Sequence, residues 1–239
     1  MIHALADVQI EVLAEDAWLL RFGSTMDTAT NLRVLAAAAQ LQDHLSGVEC
    51  VPAYASLLLR FNMTQWMDNG HFADDRLRDA ITKALPEPSS LNKTPHEVTI
   101  PVRYGGDAGV DLLDVATHAR MSPEEVVARH TASLYCVAML GFAPGFPYLF
   151  GLDPALAMPR RDNPRIHVPA GSVAIGGQQT GIYPQALPGG WQLIGRTPIR
   201  LFDLASTSPS LLQPGDQVRF RAIEDREYER LAAEAGTPP

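Results

Sequence analysis

Residues 166–202 read IHVPAGSVAIGGQQTGIYPQALPGGWQLIGRTPIRLF. Short apolar runs (IHV, GSVAI, GIY, WQLI, PIRLF) alternate here with turns built on glycine or proline. A helix would be broken every few residues by these two residue types. Many short strands joined by Gly/Pro turns indicate a barrel or a sandwich rather than a parallel sheet. The same texture begins upstream: residues 141–198 hold 10 of the 18 glycines and 9 of the 19 prolines. Its leading edge, GFAPGFPYLFG (141–151), joins glycines that permit turns, prolines that stiffen them and four aromatic rings, with no charge. Such a stretch suits a rigid site wall and carries no acid, base or nucleophile beyond a phenol. The run DQVRFRAI (216–223) supplies a late strand, and EDREYERLAAEA (224–235) a polar closing helix.

Outward from this region, LYCVAML (134–140) reads as a buried strand, preceded by MSPEEVVARHTA (121–132). That helix has Ser122 as N-cap, Pro123 at N1 and Glu125 completing a capping box. HEVTIPVRY (96–104) predicts a strand and GVDLLDVATHAR (109–120) a helix. The proline-rich PEPSSLNKTP (86–95) predicts a linker. Before it, DVQIEVL alternates, with Val8, Ile10 and Val12 on one face, and AWLLRF follows, so a hairpin is expected. A helix from Asp27 to Leu45 has Leu32, Leu35, Ala36, Ala39 and Leu45 as its apolar face, capped by Asp27 and ended by Gly47. YASLLLRF then predicts a strand and DDRLRDAITKAL (74–85) a helix, for a ββαβα order.

The chain has 239 residues and a formal net charge of −8, which argues against nucleic acid or an anionic membrane as partner. The uncharged stretch 131–152 is interrupted by proline and glycine and does not read as a membrane span. No basic leader is evident, and two separated cysteines, Cys50 and Cys136, fit a reduced cytoplasmic setting. The histidines fall at no metal-ligand spacing, so no metal site is expected. Walker A, G-x-G-x-x-G and G-x-S-x-G patterns are absent. GSVAIGGQQTG (171–181) is a weak anion-loop signal that tight barrel turns explain better.

Against the uncharged background of 170–195, Arg160, Arg161, Arg165 and Arg196 stand out as guanidiniums suited to clamp a carboxylate or phosphate. Each is otherwise a candidate to pair with Asp153, Asp162 or Asp203. Gln178 and Gln179 add neutral donors and acceptors, and Tyr148, Tyr183 and Trp191 add amphipathic rings. Trp191 reads equally well as a core plug. His130, near a helix C-terminus, is placed where the dipole favours its protonated form, as a candidate base or as a packing residue.

The ordered series HTASLYCVAMLGFAPGFPYLFGL and PRRDNPRIHVPAGSVAIGGQQTGIYPQALPGGWQLIGRTPIRLFD closely resembles the 5-oxoprolinase B-subunit family. That family also goes under the names Kip I-type kinase inhibitor, allophanate hydrolase subunit 1 and carboxyltransferase subdomains C and D, and resembles half of the carboxyltransferase domain of urea carboxylase. The resemblance implies an α+β fold, with a small N-terminal α/β domain (1–85), a linker (86–95), a cyclophilin-like β-barrel (96–223) and a C-terminal helix and tail (224–239). It implies substrate-binding roles for Phe146, Tyr148, Arg160, Arg165, Gln178, Gln179, Tyr183 and Trp191, with His130 and Arg196 as catalytic candidates. GGDAGVDL departs from the family pattern, where an acidic residue followed by Gly-Pro-Asp is usual, which puts a role for that loop in doubt.

The function so implied is a subunit of an ATP-dependent 5-oxoprolinase opening 5-oxo-L-proline to L-glutamate, inactive without its partners. Those partners are a carboxyltransferase A/B-type subunit and a lactam-handling subunit, and ATP is used by the complex. Two alternatives stay open at this stage. One is a regulatory module whose Phe142, Phe146 and Phe150 dock on a sensor histidine kinase; the other is a component of urea or allophanate metabolism.

Overall fold

The computed structural model describes residues 8–68, 71–72, 74–85 and 96–236. The chain divides into two units, Met1–Thr94 and Pro95–Pro239; the linker expected at 86–95 lies outside the described residues.

The first unit runs β1 (Gln9–Ala14), β2 (Ala17–Arg21), α1 (Thr28–His44), β3 (Val48–Pro52), β4 (Ser56–Phe61), a short β5–β6 pair (Met67–Asp68, His71–Phe72) and α2 (Asp74–Ala84). Its main sheet is antiparallel in the order β1-β2-β4-β3. Trp18, Leu20, Leu57 and Leu59 bury against Val34, Ala37 and Leu41 of α1 and Leu77 and Ile81 of α2. Asp27 caps α1 as expected, its carboxylate accepting from the Thr30 amide at 2.8 Å.

Three expectations change in this unit. An additional strand, β3, follows α1 and pairs antiparallel with β4 at the edge of the sheet, from Val48 opposite Phe61 to Pro52 opposite Leu57. Val12 is 57% exposed: β1 is an edge strand paired on one side only, so its apolar face is incompletely covered. The buried face of α1 is Asn31, Val34, Ala37 and Leu41; of the expected positions Leu45, at the C-cap, is buried, while Leu32, Leu35 and Ala36 are half-buried and Ala39 is exposed. Asn31 anchors that rotation, since its side-chain amide donates to the carbonyls of Ala53 and Tyr54.

The second unit contains β7 (Glu97–Tyr104), α3 (Leu112–Ala119), α4 (Pro123–Ala132), β8 (Leu134–Leu140), β9 (Pro147–Phe150), β10 (Arg165–Val168), β11 (Ser172–Gly176), β12 (Gln179–Ile182), β13 (Leu187–Gly189), β14 (Gln192–Arg196), β15 (Gln217–Ala222) and α5 (Asp225–Glu234). Seven of these strands close a barrel in the order β11-β12-β9-β8-β15-β7-β14. Only β7 and β15 pair in parallel. Ile100, Val102, Tyr135, Val137, Leu149, Val173, Ile175, Ile182, Ile194, Val218 and Phe220 contribute to its core. Closure leaves these strands no free edge. The ribbon β10–β13 stands apart as its own two-stranded sheet. Half of the capping box of α4 forms: Ser122 Oγ accepts from the Glu125 amide, while the Glu125 carboxylate turns to Arg129 instead.

Candidate functional site

An aromatic cluster separate from the barrel core gathers Phe146, Tyr183, Trp191, Val168, Ala174 and Leu193, with Tyr148 and Leu187 against them. The turn before β9 sets its geometry. Phe146 N donates to Ala143 O at 3.0 Å, and Pro144 then Gly145, with φ 79°, occupy the corner. Proline followed by a positive-φ glycine is the pattern of a type II turn. A Cβ on Gly145 would stand 2.8 Å from Phe202 Cβ, so the position excludes side chains on two grounds. Phe146 is the hub, with ring centroids 4.9 Å from Tyr148, 5.2 Å from Tyr183, 5.4 Å from Phe142 and 5.7 Å from Trp191.

Trp191 lies on a bed of glycine: a Cβ on Gly176 would come within 2.6 Å of its indole. Burial raises the pKa of the Tyr183 phenol, with the Trp191 backbone opposing that rise. Burial likewise raises Tyr148, with Arg160 opposing it. Both phenols are therefore neutral at neutral pH. The Arg160 guanidinium sits 5.7 Å from the Trp191 ring centroid, a cation–π contact.

Behind this face is a residue that sequence reading misses. Asp111, at the start of α3, has a side chain only 3% exposed. Its Oδ1 accepts from Arg161 Nη1 at 3.2 Å and Arg165 Nη2 at 2.7 Å, and its Oδ2 from the Leu193 amide at 2.7 Å. The GGDAGVDL loop, whose departure from the family pattern puts its role in doubt, thus supplies the anchor for two of the four singled-out arginines. The signal available was charge balance: three arginines at 160–165 face a single acid, Asp162, among themselves. Arg165 is consequently a partner of Asp111 in this state.

Arg196 closes β14 at the end opposite Trp191, about 17 Å along the strand at ~3.4 Å per residue. Its Nε donates to Ala170 O at 2.9 Å. Across the sheet Arg196 pairs with Ser172, whose carbonyl accepts from the Tyr183 amide, so one strand separates it from that edge of the cluster. Gln178 is exposed and Gln179 half-buried in the β11–β12 turn. Gly177 in that turn exchanges two backbone hydrogen bonds with Met158, tying the turn to the segment before Arg160. Because the Gly177 amide is used in this way, the GSVAIGGQQTG segment is a barrel hairpin and not an open anion cradle.

His130 is fully buried in the barrel. Its Nδ1 lies 2.8 Å from the Tyr104 hydroxyl and its Nε2 3.1 Å from Thr180 Oγ1. Thr180 donates its one hydroxyl proton to Ala174 O, at 2.9 Å. It must therefore accept from Nε2–H, which leaves Nδ1 as an acceptor for Tyr104. Burial holds the imidazole pKa down at about 3. A helix dipole contributes at most ~2 kcal/mol toward protonation, whereas the shift from 6.5 to about 3 corresponds to about 5 kcal/mol. The protonated state expected from the helix terminus is overturned by desolvation. Among the described residues, no group of three or more His, Cys, Asp or Glu side chains is placed to hold a metal ion. No described helix is long and apolar enough to cross a membrane.

The model for carboxyltransferase domain, subdomain C and D, matches residues 8–212. The chain is 41% identical to the 5-oxoprolinase B subunit of Bacillus subtilis, over 95% of this chain and 98% of the relative. It is 43% identical to the 5-oxoprolinase B subunit of Escherichia coli O157:H7, over 87% and 93%. The crystal structure of TTHA0988 is 40% identical with a TM-score of 0.75 over 87% of this chain, which spans only 40% of that longer chain. Kluyveromyces lactis urea amidolyase, 21% identical with a TM-score of 0.70 over 95% of this chain and 15% of its own, shares the fold. With a family model spanning most of its length and near full-length relatives above 40% identity, this chain belongs to the 5-oxoprolinase B-subunit family of carboxyltransferase subdomain C and D proteins.

Proposed function

We propose that this chain is a subunit of an ATP-dependent 5-oxoprolinase that opens 5-oxo-L-proline to L-glutamate. It works with a carboxyltransferase A/B-type partner and a lactam-handling subunit. The observation that carries this reading is the 41% identity extending over 98% of the Bacillus subtilis 5-oxoprolinase B subunit. The chemistry of the aromatic face agrees with it. Phe142, Tyr148 and Arg160 present ring faces and a guanidinium at the surface, backed by the buried Phe146, Tyr183 and Trp191, a combination suited to hold a small ring. Burial keeps both phenols, Tyr148 and Tyr183, neutral near neutrality, and His130 is enclosed in the barrel as a neutral acceptor–donor pair. In this reading the chain supplies one wall of a composite site, and proton transfers fall to groups on the partner subunits. In the assembled enzyme, ATP supplies the phosphoryl group that turns an unreactive lactam carbonyl into an electrophile. On this chain the glycine-rich turn is closed by Met158, and no residue is assigned to the nucleotide.

The test is reconstitution. Purified chain, mixed with both partner subunits, is expected to release glutamate from 5-oxoproline with matching ATP consumption, while omission of this chain abolishes turnover. Full turnover without the chain, or none with all three subunits, refutes the assignment. Urea and allophanate serve as competing substrates in the same screen.

A further inference from the structure

We infer that Arg160 is the carboxylate-recognising residue of the aromatic face, which selects a small cyclic acid over its uncharged analogue. The identity of that acid as 5-oxoproline rests on the function proposed above; the carboxylate subsite does not.

The four arginines of this region are engaged differently. Arg161 and Arg165 share the buried Asp111 carboxylate. Arg196 is hydrogen-bonded to Ala170 O at the far end of β14. Arg160, among the described residues, has no carboxylate within ion-pairing distance and no hydrogen-bond acceptor; it is exposed and lies over Trp191. Counting Arg160, Arg161 and Arg165 against Asp111 and Asp162, this corner carries one surplus positive charge. Its position is built rather than incidental. On one side the buried Gln192 amide donates to Pro159 O at 2.9 Å, and on the other Arg161 N donates to Gly190 O at 2.7 Å. The backbone of Arg160 is thus pinned on both flanks to the turn that carries Trp191. The guanidinium that this fixed backbone carries, resting on the indole, keeps its donors open to a bidentate carboxylate.

The apolar half of the subsite has its own mark. Phe142 keeps a left-handed φ of 68° although it is not glycine, and 61% of it is exposed. An aromatic side chain at positive φ is strained, and its exposure means that core burial does not offset the strain. Its ring stands edge-on to Phe146 and Tyr183. Half-buried Tyr148 continues the surface toward Arg160, backed by the buried Trp191, whose centroid is 5.8 Å from its own. The ligand that fits is a small ring with one apolar face and one carboxylate.

The test follows the indole N–H resonance of Trp191, assigned with Trp191→Phe, in the full chain alone and with its partner subunits. The probes are 5-oxo-L-prolinate and its uncharged carboxamide. Saturable movement with the acid is expected, and affinity roughly tenfold or more weaker for the carboxamide, the scale of a charge-assisted hydrogen-bond pair. Arg160→Ala should bring the acid down to the carboxamide's affinity and leave the carboxamide within about twofold. Arg160→Lys should recover part of the difference. Equal binding of acid and carboxamide, undiminished discrimination in Arg160→Ala, or no Trp191 movement with the partners present overturns the inference. Circular dichroism confirms that the variant, altered at an exposed position, is folded. Glutamate release separates the two readings: release with an unchanged KM in Arg160→Ala removes the subsite alone. Binding of the acid without release removes the oxoprolinase function and leaves the subsite standing.

Discussion

The buried imidazole of His130 makes the stability of the barrel unit depend on pH in a defined direction. Its folded pKa is about 3 against 6.5 for the free side chain, because burial disfavours the charged ring. Between those values the unfolded chain binds a proton that the folded unit refuses, so stability is full above pH 6.5 and falls as the pH drops. From pH 8 to pH 5 the loss is about 2 kcal/mol, approaching the limiting slope of ~1.4 kcal/mol per pH unit. This window lies above the range in which carboxylates such as Asp153, whose pKa is lowered by the Ala155 amide and Arg129, begin to contribute. His96, His118 and His167 of the same unit are exposed, and His130 is the buried one. Trp191 is the one tryptophan in residues 95–239, whereas Trp18 and Trp66 report on the other unit. Urea unfolding followed through the three indole resonances therefore separates the two. The Trp191 midpoint should fall between pH 8 and pH 5 in the wild-type chain. In His130→Gln, whose amide can donate to Thr180 and accept from Tyr104 without titrating, most of that fall should vanish. An identical pH slope in both proteins would refute the buried neutral imidazole.

Two further outcomes test the architecture of the site. Asp111→Asn keeps an acceptor for the Leu193 amide but strands two guanidiniums. Breaking a buried ion pair costs ~3–5 kcal/mol; with Arg161 and Arg165 34% and 23% exposed, a loss of about 2 kcal/mol is expected in the Trp191-reported transition. Gly176→Ala drives a methyl to within 2.6 Å of the indole and must displace it. A loss of about 1–3 kcal/mol and a red-shifted Trp191 emission are expected, and an unchanged spectrum would contradict the packing.

Much of this architecture is legible in residue order because it rests on local chemistry. Proline and glycine inside GFAPGF encode a turn whose φ values no other residues adopt as readily, and Asp27 and Ser122 encode caps that form within three residues. What local reading misses depends on partners distant in sequence. The buried face of α1 is rotated toward Asn31 because its partners, Ala53 and Tyr54, lie 22 and 23 residues away. Asp111 finds Arg161 and Arg165 at separations of 50 and 54 residues. The charge state of His130 escapes local reading for the same reason: the helix end beside it is visible in sequence, but the barrel strands that desolvate it are not.

These distant pairings also decide what the aromatic face is able to do. A clamp of four equivalent arginines would bind polyanions, with phosphate the natural guest. By engaging two guanidiniums on one carboxylate and leaving Arg196 at the other end of a strand, the fold reduces that cluster to one pinned cation beside neutral rings. In the reading proposed above, the one exposed guanidinium resting on the indole takes a single negative charge, which is what a lactam acid offers. The same arrangement removes acid–base chemistry from the face, since Tyr148 and Tyr183 are pushed upward by burial and His130 is sealed inside the barrel. With two phenols held neutral and the imidazole enclosed, the proton transfers of the proposed reaction fall to other groups, which is what reconstitution with the partner subunits tests.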